Sequence, residues 1–407
     1  MAPPPDPGSA GPAIPVWPLR LLSLAYFTMG TGSLAVVGAL PAIATSMNLT
    51  RGAVALLMSA FAVAFAIGAP VVQMVAGHLP RRTLLLAGLT VLGAAAGLSA
   101  MADSYPTLLA ARLLGALGGC AVSPVVSALG STLVPTRFQG RALAIVFSGM
   151  TMASVIGVPL SAWVADRIGW RPLFLGIGVW TWAVALALAW GIRDRGRGHA
   201  VRPRQLLAVL RHPGVGGGIL IMVAEMAGLF TTYTLVTPLL RDRFGADADQ
   251  TSLALMALGV AGLGGNYLAR WLADLWSADR SVAVALAVLA ATFLGLAGAP
   301  PRLWAAVAGL VAWALANDLF MPAQQRRMVE LAPDMRGLVL ALNASAIYAG
   351  MAVGSFTGGT LYPLTGVGVL PLASAGFMAV ALGLLALTRR RRTRAITGLA
   401  TVCPNAG

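Results

Sequence analysis

The stretch that decides the fold is Gly217–Leu240, "GGILIMVAEMAGLFTTYTLVTPLL". It carries one formal charge, the carboxyl of Glu225. Runs of about 18 or more apolar residues are typical of transmembrane helices, because a segment in lipid must satisfy its backbone hydrogen bonds internally. This stretch therefore predicts a membrane-spanning helix with an acid near its middle.

The composition extends this prediction to the whole chain. Of its 407 residues, 58% are hydrophobic and only 10% are charged, whereas a soluble domain carries about a quarter of charged residues. We expect an all-α polytopic membrane protein with twelve transmembrane helices. The apolar blocks fall at about 19–46, 53–76, 83–102, 106–132, 141–164, 171–192, 215–240, 251–273, 281–299, 303–323, 336–362 and 367–388.

The longest hydrophilic interior stretch, residues 193–214, divides the twelve blocks into six and six. Such a division is typical of two homologous bundles. We expect a disordered cytoplasmic N-terminus at 1–18, an N-terminal six-helix bundle at 19–192, and a cytoplasmic inter-bundle loop at 193–214. A C-terminal six-helix bundle at 215–388 and a basic cytoplasmic tail at 389–407 complete the predicted organisation.

The net charge of +15 comes entirely from arginine, since the chain has no lysine. With the N-terminus in the cytoplasm, 21 arginines fall in inward-facing segments and 6 in outward-facing ones. The excess follows the positive-inside rule and predicts that both termini are cytoplasmic. The charge therefore indicates topology and attraction to anionic lipid, and we expect no nucleic-acid partner.

Several quoted segments carry a resemblance to a known family. They are "MGTGSLAVVGALPAIATSMNLT" (29–50), "LPRRTLLL" (79–86), "ARLLGALGG" (111–119), "IGVPLSAWVADRIGWRPLF" (156–174) and "ALNASAIYAGMAVGSFTGGTLY" (341–362). In this order they resemble the arabinose-efflux-type permeases, in the drug:proton antiporter group of the major facilitator superfamily. The resemblance implies the major facilitator fold, a central cavity, alternating access, and export driven by the proton gradient.

The resemblance also implies roles for single residues. Arg112 matches the family's fourth-helix arginine, which is implicated in proton coupling. Gly157 and Pro159 match the fifth-helix antiporter motif. Arg81 and Arg82 match the basic end of the motif in the loop between the second and third helices, which implies a gating role.

The sequence departs from the family pattern in several places, among them Gln73 and Gly77 in the first loop motif and Ser161 and Ala162 after Pro159. Ser33 stands where the family's first helix often carries an acid, so a coupling acid must lie elsewhere or be absent. The second-half copy of the loop motif keeps its aspartate as Asp274 but loses most of its basic end. We interpret Asp274 either as part of a plain cytoplasmic turn or as a hinge that pairs with a neighbouring helix end.

Three formal charges fall well within the predicted spans: Arg112, Glu225 and Asp318. A charge at the bilayer centre costs about 2.5–3.5 kcal/mol on insertion scales, so each is a site hypothesis. Glu225 is either a proton carrier or a hydrogen-bonded strut between helices. Arg112 acts in coupling or extends toward the interface. Asp318 acts in an inner-gate ion pair with an arginine or in coupling.

Polar and aromatic side chains near these charges are candidates for the cavity lining. They are Tyr233, which we place roughly on the Glu225 face of its helix, together with Asn266, Asn343 and Tyr348. Aromatic walls with few polar anchors suit an amphipathic organic molecule. For each residue alone, an interhelical hydrogen bond is the alternative.

The predicted function is secondary active transport: proton-coupled efflux of a small organic molecule, such as a drug, sugar or metabolite. The alternative is proton-independent or symport-type uptake of a small nutrient by the same fold. We expect no enzyme, since the spans hold no Ser/His/Asp set, and no metal site or cofactor beyond the proton gradient. We expect a monomer in the bacterial inner membrane.

Overall fold

The computed structural model describes residues 16–135, 138–192, 194, 196, 204, 212 and 214–402, with the backbone alone at 140, 337 and 390–402. In that part of the chain, twelve helices are long and apolar enough to cross a membrane. Most of the predicted loop 193–214 lies outside the described residues. The helices are α1 Val16–Ser46, α2 Arg51–Val75, α3 Arg81–Ala100, α4 Tyr105–Thr132, α5 Gln139–Arg167, α6 Trp170–Gly191, α7 Val215–Arg243, α8 Ala248–Ala273, α9 Ala278–Gly298, α10 Leu303–Leu331, α11 Arg336–Thr365 and α12 Leu370–Val402.

Two of these helices are not regular throughout. Helix α5 consists of Gln139–Met152, a π-helical turn at Ala153–Gly157, and Val158–Arg167. Helix α7 consists of Val215–Tyr233, Val236–Pro238 and a π-helical turn at Leu239–Arg243. Single π-helical turns of this kind occur often at functional sites.

The structure corrects one predicted boundary. Helix α1 begins at Val16, so residues 16–18 of the segment predicted to be disordered are helical. Pro18 does not prevent this, because a proline in the first turn lacks only an N–H that would have no partner within the helix. At the other end of the chain, the basic tail starts as helix, since α12 continues to Val402.

Both halves of the chain pack in the same pattern. In the first half, α1 packs on α5 and α6, α2 on α4, and α3 on α4 and α6. In the second half, α7 packs on α11 and α12, α8 on α10, and α9 on α10 and α12. Each of these contacts therefore recurs six helices later, which is the arrangement of two repeated six-helix bundles.

The two halves meet along two seams, α2 against α11 and α5 against α8. Glycines allow the close approach. A Cβ added at Gly259 of α8 would lie 2.5 Å from the Val155 Cα in the π-helical turn of α5. A Cβ added at Gly52 of α2 would lie 2.5 Å from the Gly359 carbonyl oxygen of α11.

Candidate transport site

The inner ends of the helices are those that the arginine distribution assigns to the cytoplasm, and the outer ends are the opposite ones. Glu225 lies ten residues from the start of α7, or about 15 Å from its inner end. Its side chain is 0% exposed, whereas Leu220 on the same helix is 53% exposed. Glu225 therefore faces the protein interior and not the lipid.

The Glu225 carboxyl has no hydrogen-bond partner for either oxygen among the described residues. This argues against the hydrogen-bonded strut. The Asp318 carboxyl of α10 is close enough to interact electrostatically with that of Glu225. No arginine pairs with either one in the described part of the chain. The inner-gate ion pair, one of the two roles predicted for Asp318, is therefore not formed with any arginine whose side chain the structure describes.

Asp318 is held by α8. Its Oδ1 accepts a hydrogen bond of 3.0 Å from the side-chain amide of Asn266, which was predicted to line the cavity or to form an interhelical hydrogen bond. The chain gives this carboxyl room by placing glycines opposite it. A Cβ at Gly262 would lie 2.6 Å from the Asp318 Oδ2, and one at Gly265 would lie 2.8 Å from the Asp318 Cβ. The structure thus brings Glu225, Asp318 and Asn266 together in the second half.

A cluster of aromatic rings lies on the outer side of this acid pair. Tyr233 is eight residues, or about 12 Å, further out than Glu225 along α7. Its ring meets Phe230 edge-on at 5.4 Å and Trp313 of α10 edge-on at 6.0 Å. Trp313 in turn contacts Phe293 at 4.9 Å between ring centroids. The cluster therefore lies further out than the acid pair along both α7 and α10.

Arg112 occupies a different place, in the core of the first half. Its side chain is 4% exposed, so the prediction that it extends toward the interface is wrong. The two terminal nitrogens donate hydrogen bonds of 2.7 and 2.8 Å to the backbone carbonyls of Gly32 and Ser33 in α1. The guanidinium also lies 4.6 Å from the Phe61 ring centroid. The arginine thus meets the main chain of Ser33, the residue that stands where the family often carries an acid.

The other two residues predicted to line the cavity, Asn343 and Tyr348, lie in α11, whereas the acid pair lies in α7 and α10. The Tyr348 ring stacks on Phe65 of α2 at 3.6 Å between centroids, so it bridges the two halves at mid-membrane. On the first-half side, the Tyr26 hydroxyl and the Ser123 hydroxyl are 3.0 Å apart. Asn343 is 1% exposed, and its side-chain oxygen has no hydrogen-bond partner among the described residues.

The outer ends of the two halves are joined by three ion pairs. They are Arg51–Asp242, Arg167–Asp249 and Arg241–Asp166. At the inner ends, by contrast, no ion pair between the halves occurs in the part of the chain that the structure describes. The ion pairs that the structure describes between the halves therefore all lie at the outer ends, and with the predicted orientation such a closure is expected of an inward-facing state.

A hydrogen bond between α1 and α7, made possible by a proline, adds to this outer closure. Pro41 in α1 has no N–H to donate, which leaves the Val37 carbonyl without its usual helical partner. Thr237 of α7 supplies the missing donor with a hydrogen bond of 2.9 Å from its hydroxyl to that carbonyl. Since Thr237 is fully buried, this bond connects the two halves away from water.

The predicted gating residues at the inner ends form hydrogen bonds with backbone carbonyls but no ion pairs among the described residues. The Arg81 backbone N–H donates to the Gly196 carbonyl at 3.1 Å, and the Arg82 side chain donates to the Ala189 carbonyl. Asp274 is the residue at the end of α8 and forms no ion pair among the described residues, so its hinge role stays a prediction. Asp279 of α9 instead accepts a hydrogen bond of 2.7 Å from the Arg327 Nε.

The fifth-helix motif lies beside the π-helical turn. Gly157 is the last residue of that turn, and Pro159 follows it two residues later. A Cβ at Gly157 would lie 2.4 Å from the Thr31 hydroxyl oxygen of α1. The motif therefore sets the close packing of α5 on α1.

Comparisons with known proteins identify the family. The family model described as Major Facilitator Superfamily matches residues 22–301 and 218–401. The chain is 30% identical to the Inner membrane transport protein YdhP of Escherichia coli over 381 residues, which cover 93% of this chain and 98% of YdhP. The chain belongs to the Major Facilitator Superfamily.

Two further similarities are informative. The Chloramphenicol efflux pump MT0201 of Mycobacterium tuberculosis is 31% identical over 379 residues, covering 89% of this chain and 90% of the pump. A bacterial homologue of the human lysosomal transporter Spinster, solved in an inward-facing and unoccupied conformation, superposes with a TM-score of 0.74. It is 17% identical and covers 93% of this chain and 98% of its own, so it shows the fold alone. A member of this superfamily is a membrane transporter and not an enzyme.

The sequence analysis missed three acidic residues at the outer ends. Asp166, Asp242 and Asp249 complete the outer closure, and none was singled out. The signal for Asp166 and Asp242 was a repeated "Asp-Arg-x-Gly" at 166–169 and 242–245, whereas Asp249 lies outside this motif. Both of its glycines have positive φ, 108° at Gly169 and 68° at Gly245, and end their helices where only glycine fits easily.

A second missed group lies in α10. Gln324 is 0% exposed and donates a hydrogen bond of 2.7 Å to the Gly218 carbonyl of α7. Arg327, one turn further, is 4% exposed and joins Asp279 to the Thr388 hydroxyl of α12 at 3.0 Å. These residues fix α10 within the second half near its inner end.

Proposed function

We propose that this protein exports a small organic molecule from the cytoplasm in exchange for protons, and that Glu225 and Asp318 carry the proton. One observation supports the proposal above all. Glu225 is fully buried, has no hydrogen-bond partner among the described residues, and lies near a second acid that also lacks a basic partner. Two such carboxyls at mid-membrane bind a proton readily, because no positive charge holds them ionised.

The acid pair also replaces the acid that the first helix lacks. In the first half, Arg112 binds backbone carbonyls beside Ser33, and no carboxylate takes part. The proton is therefore carried in the second half, whereas Arg112 stabilises α1 in the first. In this scheme the substrate enters from the inner side, the acids release their proton inward, and the aromatic cluster at Tyr233 and Trp313 opens when the outer ends separate.

The names of the relatives support efflux as the direction. The relative from Mycobacterium tuberculosis is named a chloramphenicol efflux pump, so chloramphenicol is a suitable first probe. An inner-membrane location follows from the name of the Escherichia coli relative and is part of the proposal. Proton coupling supplies about 2.3 kcal/mol per charge at 100 mV, which suffices to concentrate a neutral solute tens of fold.

The test begins with substrate identification and then measures coupling. A pump-deficient bacterial host expressing this chain is challenged with a panel of inhibitors that includes chloramphenicol, with and without a protonophore. The compound with the largest protonophore-sensitive resistance is then used in proteoliposomes with an imposed pH gradient. We expect Glu225→Gln to abolish gradient-driven flux while exchange without a gradient persists.

Matched variants complete the test. Asp318→Asn is expected to depress gradient-driven flux, and Asp334→Asn, an exposed acid between α10 and α11, is expected to leave it unchanged. Unchanged gradient-driven flux in Glu225→Gln would remove the acid from the mechanism. Flux that does not respond to the pH gradient in the unmodified protein would instead favour proton-independent uptake, the alternative function.

A further inference from the structure

A groove between α1 and α5 at their inner ends has the features of a lipid-binding site. Its volume is about 630 Å³, within the range of about 300–1,000 Å³ that is typical of small-molecule sites. Both helices belong to the first half, and no residue of α7–α12 lines the groove. The lining residues are Trp17, Arg20, Ser23, Leu24, Arg141, Ala144, Ile145 and Ser148.

The groove lies on the outside of the first-half bundle. Tyr26 marks the interior side of α1, since its hydroxyl lies 3.0 Å from the Ser123 hydroxyl of α4. Trp17 precedes Tyr26 by about two and a half helical turns and so lies on the opposite side of α1. Trp17 is 65% exposed, and Leu24 is 37% exposed. In a transmembrane protein, exposed apolar side chains on the outside of a bundle face lipid.

The charges of the groove are positive and have no partners. Arg20 and Arg141 lie in the first turns of α1 and α5 at the inner rim. Neither forms an ion pair or a side-chain hydrogen bond with any residue that the structure describes. None of the lining residues is acidic. Two guanidinium groups above an apolar groove match the order of groups in an anionic phospholipid, with the phosphate at the rim and the chains below.

The deeper part of the groove completes this match. The Ser23 and Ser148 hydroxyls are 3.2 Å apart and join the two helices at its deep end. Leu24 and Ile145 provide apolar surface for acyl chains. Trp17 lies where tryptophan side chains are enriched, at the level of the headgroups. The helices stay close here because a Cβ at Gly149 would lie 1.9 Å from the Ser23 carbonyl oxygen.

We propose that this groove binds one anionic phospholipid of the inner leaflet, with its phosphate between Arg20 and Arg141. Guanidinium groups bind phosphate oxygens in a forked, charge-assisted geometry. Basic residues between helices on the cytoplasmic side are a recurrent means of holding anionic headgroups. The site is separate from the acid pair and does not depend on proton coupling or on the transported substrate.

Native mass spectrometry of the detergent-purified full chain tests the proposal. The probes are phosphatidylglycerol and phosphatidylethanolamine with identical chains, at equal concentrations. We expect one phosphatidylglycerol to bind about tenfold more tightly than phosphatidylethanolamine, and this preference to disappear in Arg20→Gln/Arg141→Gln. The control Arg270→Gln/Arg280→Gln removes the same charge from the inner ends of the second half and should keep the preference.

A second variant separates the groove from the charged rim. Ala144→Trp fills the apolar part and leaves both arginines in place, so it should weaken the retention of both lipids. Three results would overturn the proposal: an unchanged preference in the arginine variant, an equal loss in the control, or undiminished retention in Ala144→Trp. Displacement of the lipid by equimolar glycerol 3-phosphate would also overturn it, since the site would then be specific for a soluble phosphate.

Discussion

The ion pair between Arg241 and Asp166 offers a direct test of the outer closure. The guanidinium of α7 donates two hydrogen bonds to the carboxylate of α5, one of them 3.1 Å long. The side chains are 22% and 15% exposed, so the pair is more buried than Arg167–Asp249, whose side chains are 55% and 57% exposed. We therefore expect Asp166→Asn to shift the equilibrium toward the outward-open state.

The magnitude lies between two known limits. Exposed ion pairs contribute about 0–1 kcal/mol, and removal of one partner from a fully buried pair costs about 3–5 kcal/mol. A forked pair of intermediate burial should contribute about 1–2 kcal/mol, which corresponds to about 5- to 30-fold in the ratio of outward-open to inward-open molecules. Because the bond exists only when the outer ends are closed, its whole contribution favours the inward-facing state.

The assay is a distance measurement between spin labels at the outer ends. Met101 follows α3 and is 75% exposed, and Leu364 lies near the end of α11 and is 81% exposed, so Met101→Cys and Leu364→Cys place one label on each half. Cys120 and Cys403 are first replaced by alanine. Asp166→Asn should increase the population with the longer distance about tenfold, and Asp249→Asn should increase it less.

The double variant Asp166→Arg/Arg241→Asp serves as the control, because it restores an ion pair with the charges exchanged. It should return the distance distribution most of the way to that of the unmodified protein. An Asp166→Asn distribution identical to that of the unmodified protein would refute the reasoning. So would a double variant that opens further than either single one.

Three further outcomes are expected. Thr237→Val should destabilise the inward-facing state by about 1 kcal/mol relative to the outward-open state, because the carbonyl that Pro41 leaves free then has no donor. The same spin labels measure this shift, and an unchanged distance distribution would contradict it. Gly149→Ala should lower the melting temperature, because the added Cβ would overlap a backbone oxygen. Gly176→Ala should not lower it, because no atom lies within 4 Å of a Cβ added there. Equal melting temperatures of the two variants would refute the packing argument. Arg112→Ala should lower both melting temperature and transport, whereas the exposed Arg302→Ala should change neither, and similar effects of the two changes would mean that Arg112 has no special role.

The features that could be predicted from the sequence share a physical cause, the avoidance of charge and unpaired backbone groups in lipid. The twelve helices could be predicted, because lipid requires each spanning segment to be apolar and helical, and that requirement is written in every block of sequence. The six-plus-six division could be predicted for a similar reason, since the longest polar stretch interrupts the apolar blocks. Glu225 and Arg112 were found as site candidates because charges are costly in lipid and therefore rare.

Partners could not be predicted in the same way. The sequence offered two roles for Asp318, an ion pair with an arginine or proton coupling, and did not decide between them. Only the packing of α8 on α10 places Asn266 and two glycines around it. The sequence left Tyr348 near the charges, whereas the structure stacks it on Phe65 across the two halves. Such contacts join residues far apart in the chain, and helical periodicity carries no information about which helix lies opposite.

The sequence by itself therefore determined the membrane-spanning class, the number of helices, the superfamily resemblance and the depth at which the buried charges lie. Those properties depend on local apolarity, which the solvent imposes on each segment separately. Only the tertiary structure decided that the outer ends are closed by Asp166, Asp242 and Asp249, and that Arg112 binds α1 rather than an acid. These are choices between partners, and they are made by the packing of helices that lie far apart in the sequence.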